Sequence, residues 1–175
     1  MKHLCLRPLL ALLVWALLSG FAPAYAAEKV LDVSQIGSQP LSLTDYFAFL
    51  EDPGADLTLA DVASPAFAAR FQAVDKPAEQ LSFPLTRSAY WLRLQLHNPS
   101  DQNLDQMLQI ANSRLADVRL YGGSSQHGDE PLRSGFEVPF AQWPVQNRMI
   151  TFPLDFTPHA STTVYLRIQR MTPLA

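Results

Sequence analysis

Between Ser88 and Pro99 the chain alternates, with Leu92, Leu94 and Leu96 on one side and Trp91, Arg93, Gln95 and His97 on the other. A period of two is that of a β-strand with one apolar and one polar face. Asn98-Pro99-Ser100 ends the run, because proline lacks the N–H a ladder needs and restricts the residue before it. Short runs of the same kind recur between turn clusters at Leu81–Leu85, Gln106–Ala111, Asp117–Tyr121, Gly135–Val138, Met149–Phe156 and Thr162–Gln169, and Val30–Val33 is a β-prone run upstream. This spacing predicts eight strands. No helical pattern interrupts them after Lys76-Pro77, so the fold class predicted is all-β, an antiparallel jelly-roll sandwich.

Helical signals are confined to the first third of the chain. Thr44 stands as an N-cap before Phe47 and Leu50, which predicts a short helix stopped by Pro53-Gly54. Thr58 with Asp61 three residues on makes a shortened capping box and predicts a second helical turn or two, ended near Ser64-Pro65. Phe67 and Phe71, four apart, are expected to fasten this peripheral segment to a sheet.

Residues 1–26 carry a different pattern. Lys2, His3 and Arg7 form a basic start, Leu9 to Leu18 an apolar run, and Ala24-Tyr25-Ala26 a small-x-small cleavage signal, the three parts of a secretory signal peptide. The apolar run falls short of the roughly 20 residues that a membrane span needs. Cys5 lies inside this leader, so residues 27–175 hold no cysteine and must be held together by an apolar core. Export without cysteines fits a bacterial periplasm better than a disulfide-rich secreted module. The chain has 13 Lys and Arg against 16 Asp and Glu, and Lys2 and Arg7 belong to the leader, so beyond it the balance is 11 to 16. A charge of −5 with no basic cluster argues against a nucleic-acid partner.

Signatures of catalysis are missing. There is no Gly-x-Ser-x-Gly elbow, and Gly122-Gly123-Ser124-Ser125 has neither the spacing nor the context of a phosphate loop. His97, His127 and His159 are far apart in sequence, and the acidic residues lack calcium-loop spacing, so no metal and no cofactor is expected, leaving only a loop-bound calcium ion open. A hydrolase would need a paired acid and base, and none can be named. The polar sides of the strands are more informative. Trp91 accompanies Arg93, Arg119 accompanies Tyr121, and Tyr165 accompanies Arg167, each pair opposite a run of leucine, valine or isoleucine. If the three strands are neighbours, they form an open face of aromatics and guanidinium groups suited to sugar rings or carboxylates. The alternative is that these arginines simply cover a solvated sheet with their stems. Arg148 and Trp143, in the loop before the seventh strand, would close one edge. The candidate ligand-binding residues are therefore Trp91, Arg93, Arg119, Tyr121, Arg148 and Arg167.

Taken in order, Leu43-Thr44-Asp45-Tyr46, Leu57 to Val62, Tyr90-Trp91-Leu92-Arg93-Leu94-x-Leu96-x-Asn98, Asp117-Val118-Arg119-Leu120-Tyr121, Pro139-Phe140, Arg148, Phe152-Pro153-Leu154 and Tyr165-Leu166-Arg167 resemble a known domain. It is the type 2 extracellular, periplasmic sensor domain of bacterial seven-transmembrane receptors with diverse intracellular signalling modules (7TMR-DISM). The resemblance runs from about Val30 to the end. It implies a jelly roll like that of carbohydrate-binding modules, placed after a signal peptide and before seven membrane helices, with a diguanylate cyclase or histidine kinase as output. It also implies a small-molecule ligand such as a saccharide, and no enzymatic activity. Family members continue into a last strand and the membrane, whereas this chain stops at Met171-Thr172-Pro173-Leu174-Ala175, so residues 27–175 are expected to be a sensor sandwich truncated at its C-terminal end. The competing expectation is a module that pairs with itself as a homodimer or with another periplasmic protein and takes no small molecule.

Overall fold

The computed structural model describes residues 29–74, 86–112, 114–123 and 130–170. Its strands are β1 (Val30–Asp32), β2 (Phe47–Asp52), β3 (Gln72–Ala73), β4 (Ala89–His97), β5 (Leu104–Ile110), β6 (Asp117–Tyr121), β7 (Leu132–Ser134), β8 (Ile150–Phe156) and β9 (Ser161–Gln169). Two short helices, α1 (Leu59–Ala63) and α2 (Pro65–Ala68), lie between β2 and β3. Seven strands form one sheet in the order β3-β2-β4-β9-β6-β7, with β1 pairing parallel to the end of β4 that β2 leaves open. The second sheet is the antiparallel pair β5-β8. The architecture is thus an all-β sandwich, and among the described residues its strands divide seven and two.

Alternation sets the core between the sheets. Leu92, Leu94 and Leu96 of β4, Val118 and Leu120 of β6, and Val164, Leu166 and Ile168 of β9 pack against Leu108 of β5 and Ile150, Phe152, Leu154 and Phe156 of β8. Each such side chain contributes roughly 1.5–3 kcal/mol by leaving water. Asn98 locks the end of β4 to the turn between β8 and β9. Fully buried, it donates from Nδ2 to the carbonyls of Gln102 (2.8 Å) and Thr157 (3.0 Å) and accepts at Oδ1 from the Ser100 backbone N–H (3.1 Å) and hydroxyl (2.7 Å).

Two expectations are corrected. The helix expected after Thr44 is a single 3-10 turn, Thr44–Tyr46, leading straight into strand β2. Phe47 and Phe49 pack against the main core, while Ala48 and Leu50 enter a second cluster on the far face of the sheet. A strand apolar on both faces loses its period of two and mimics a helix in sequence. The strand expected at Gly135–Val138 lies three residues earlier, as β7. Gly135 has φ +126° and approaches the Ala116 carbonyl so closely that a Cβ would collide with it. The turn it makes lets Phe136 and Glu137 donate to the carbonyls of Leu115 and Ala116. Leu81–Leu85, the leader and Met171 to Ala175 lie outside the described residues. Thr58 does cap α1, with the reciprocal Thr58 and Asp61 bonds of a capping box.

Candidate functional site

Residues directly opposite in a ladder project from the same face, so the register shows how the outer face of the large sheet is tiled. One row reads Asp52, Ala89, Gln169, Asp117, the next Leu50, Trp91, Arg167, Arg119, Arg133, and the third Ala48, Arg93, Tyr165, Tyr121. The three arginine-and-aromatic strands, β4, β9 and β6, are indeed consecutive, and Trp91, Arg93, Arg119, Tyr121 and Arg167 share one face.

That face is only partly open. The segment after β2 folds back over its β2-β4 side. Val62 of α1 and Phe71 are buried there with Ala48, Leu50 and Trp91, and Leu57, Leu59, Phe67, Tyr121 and Tyr165 pack around them. Phe67 and Phe71 therefore do fasten this segment to the sheet. Trp91 is fully buried and stacks on Tyr121, 5.5 Å between centroids at 28°. Its Nε1 has no hydrogen-bond partner among the described residues, which costs a buried donor about 1–3 kcal/mol. Polar ties complete the cover. Arg167 donates from Nη2 to the Ala55 carbonyl (2.9 Å), Arg93 from Nη2 to the Ala68 carbonyl (3.2 Å), and the Asp52 carboxylate accepts from the Leu57 N–H (3.1 Å). The Arg93 guanidinium also lies 4.2 Å from the centre of the Phe71 ring, a cation–π contact.

Asp117 is the electrostatic hub. Its carboxylate is nearly buried and accepts from Nε of Arg119 (2.6 Å) and from Nε (3.2 Å) and Nη2 (2.9 Å) of Arg133, while Nη1 of Arg167 stands 3.8 Å away. Three guanidinium groups in adjacent strands thus converge on one carboxylate. Burial and then the neighbouring Arg119 charge push Arg167 below the ordinary arginine pKa, against the pull of Asp117, Asp52 and Tyr121. Burial acts on Arg119 in the same direction, but the charge and hydrogen bond of Asp117, helped by Tyr121, outweigh it and leave Arg119 above its ordinary value. Exposure rises along the row, from 8% for the Arg167 side chain to 35% for Arg119 and 50% for Arg133. The reachable end of the face is therefore Arg119, Arg133 and Tyr121.

Arg148 stands apart. It is exposed in the loop before β8, the strand on the other side of the main core, and Trp143 packs against that core with its Nε1 bonded to the Val138 carbonyl. Three residues of the site escaped sequence reading. Arg133 sits in a three-residue strand, too short to show alternation; Asp52 sits at the end of a run that reads as helix. Asp117 begins β6 in phase with Arg119, and that phase was the one local signal that it belongs to the polar face. Among the described residues no group of three or more His, Cys, Asp or Glu is placed to hold a metal ion.

No helix among the described residues is long and apolar enough to cross a membrane. No curated protein matches the chain. The family described as 7TMR-DISM extracellular 2 matches residues 44–175, well over half of the 175 residues, and covers β2 to β9 with every residue of the arginine-rich face. The chain belongs to the 7TMR-DISM extracellular 2 family of receptor sensor domains.

Proposed function

We propose that the domain is the periplasmic, ligand-sensing input of a transmembrane signalling receptor whose output is a diguanylate cyclase or histidine kinase. It binds a small molecule such as a saccharide or carboxylate at the outer face of β4, β9, β6 and β7 and carries out no chemistry on it. Family membership supports the receptor role. The observation that carries the binding face is the row Arg167, Arg119, Arg133, three guanidinium groups at one register level across β9, β6 and β7, with the buried Trp91 at its closed end and Arg119 and Arg133 at its open one. Ligand acts by binding one arrangement of the face and its covering segment more tightly than another, since only differential affinity shifts an equilibrium.

Thermal-shift screening of the 175-residue chain against saccharides and small carboxylates tests this reading, with Arg93→Ala and Arg119→Ala as comparison proteins. The expected result is a ligand that raises Tm in the unmodified chain and loses most of that effect in the variants. A ligand whose shift survives both substitutions binds elsewhere. A second reading, a docking module, draws on the exposed side chains of Met107, Phe136 and Phe140. Concentration-dependent self-association without any ligand response would favour it.

A further inference from the structure

Resting on the reading of this face as a ligand site, we propose that the ligand is a small carboxylate whose charged group is taken by Arg119 and Arg133 at the open end of the row. Like charges directly opposite in neighbouring strands repel, yet Arg167, Arg119 and Arg133 occupy one register level across β9, β6 and β7. Around Asp117 three guanidinium groups, those of Arg167, Arg119 and Arg133, meet one carboxylate, a local surplus of two positive charges among the described residues on a chain whose formal net charge is −3. The core does not require this arrangement, because these residues point away from the leucines between the sheets. A ligand bearing negative charge relieves the repulsion; a neutral one leaves it in place.

Geometry favours a carboxylate over other anions. Asp117 already shows how the row accepts one, with Arg119 on one oxygen and Arg133 on the other. Guanidinium forks match that planar group with paired, charge-assisted bonds. Asp117 also holds the two guanidinium groups in position, so little side-chain entropy remains to be lost on binding. Half-exposed Arg133 and partly exposed Arg119 are reachable without moving the covering segment. Tyr121, two residues along β6 from Arg119 and backed by Trp91, offers a ring against which the ligand's remaining atoms pack.

The test titrates the 175-residue chain at constant ionic strength with sodium succinate, citrate and galacturonate, and with galactose and inorganic phosphate, followed by thermal shift and calorimetry. Galacturonate differs from galactose in the carboxylate, so that pair isolates the charge. At least one carboxylate is expected to bind, with galactose and phosphate about tenfold or more weaker, the scale of losing charged hydrogen bonds. Arg133→Gln, at a half-exposed position, is expected to weaken the carboxylate by a similar factor, and Arg133→Lys to restore part of it by supplying charge without the fork. Galactose binding as well as galacturonate, with Arg133→Gln indifferent and Tyr121→Ala abolishing both, overturns the carboxylate and leaves the sensing face standing. Failure of all three carboxylates, or a preference for phosphate, likewise overturns the carboxylate, while the library screen above judges the face independently.

Discussion

Replacing Asp117 by Asn removes the charge on which three arginines converge while keeping the side chain's shape and one acceptor oxygen. The cost follows from how buried each partner is. Arg167 is 8% exposed and lies 3.8 Å from the carboxylate; removing one member of a buried pair costs about 3–5 kcal/mol. Arg167 keeps its bonds to the Gln169 side chain and the Ala55 carbonyl, which places its share near the lower end, about 3 kcal/mol. Arg119 and Arg133, 35% and 50% exposed, turn toward water when the charge is gone, so each adds no more than about 0.5 kcal/mol. The expected destabilisation is about 3–4 kcal/mol. For a chain of this size it lowers Tm by about 10 °C. Urea denaturation followed by circular dichroism measures it as a shift of midpoint at constant slope. Sulfate is expected to stabilise the variant more than the unmodified protein, by supplying the missing negative charge. A loss below about 1 kcal/mol, with no differential response to sulfate, would refute the hub, and the arginine row would then be a set of independently solvated side chains.

Two further predictions concern the frame that holds this face. Asn98→Asp is expected to cost about 2–4 kcal/mol, because it replaces the amide donors to the Gln102 and Thr157 carbonyls with oxygen acceptors in a fully buried site; the same denaturation assay reads it, and a near-neutral result would mean that the end of β4 is held by the ladder alone. Thr58→Ala is expected to cost about 1 kcal/mol as a lost helix cap. Its pH dependence has a definite sign. The Thr58 hydroxyl first, then its backbone N–H, hold the Asp61 carboxyl below its ordinary 3.8, so the folded form binds that proton less readily than the unfolded chain. The contribution is present above pH 3.8 and is lost as pH falls through the lower folded value. The gap between Thr58→Ala and the unmodified protein should therefore narrow below about pH 4, and a gap that widened there would contradict the capping box as its source.

Much of the sandwich was legible in local pattern. Leu92 to Leu96, Val118 with Leu120, Val164 to Ile168 and the even positions of β8 turn to the core because side chains in a strand alternate regardless of which strand lies alongside. Thr58 with Asp61 was legible for the same reason, a motif closed within four residues. Phe47 to Leu50 misled because a strand buried on both faces has no polar phase to read. Arg133 was invisible because three residues are too few to show a period.

What the sequence by itself determined is the set of strands and, within each, which residues share a face; those are properties of a few consecutive peptides. It thereby put Trp91 with Arg93, Arg119 with Tyr121, and Tyr165 with Arg167. Only the tertiary structure decided that β4, β9, β6 and β7 are neighbours in a register that aligns Trp91, Arg167, Arg119 and Arg133, that Asp117 is their shared counter-charge, and that Arg148 lies elsewhere. It also decided that Trp91 is core rather than open surface, under a segment tied down by Arg167 reaching the carbonyl of Ala55, 112 residues away in sequence. Pairing and cover at such separations depend on chain-wide packing and loop closure, which no window of sequence contains.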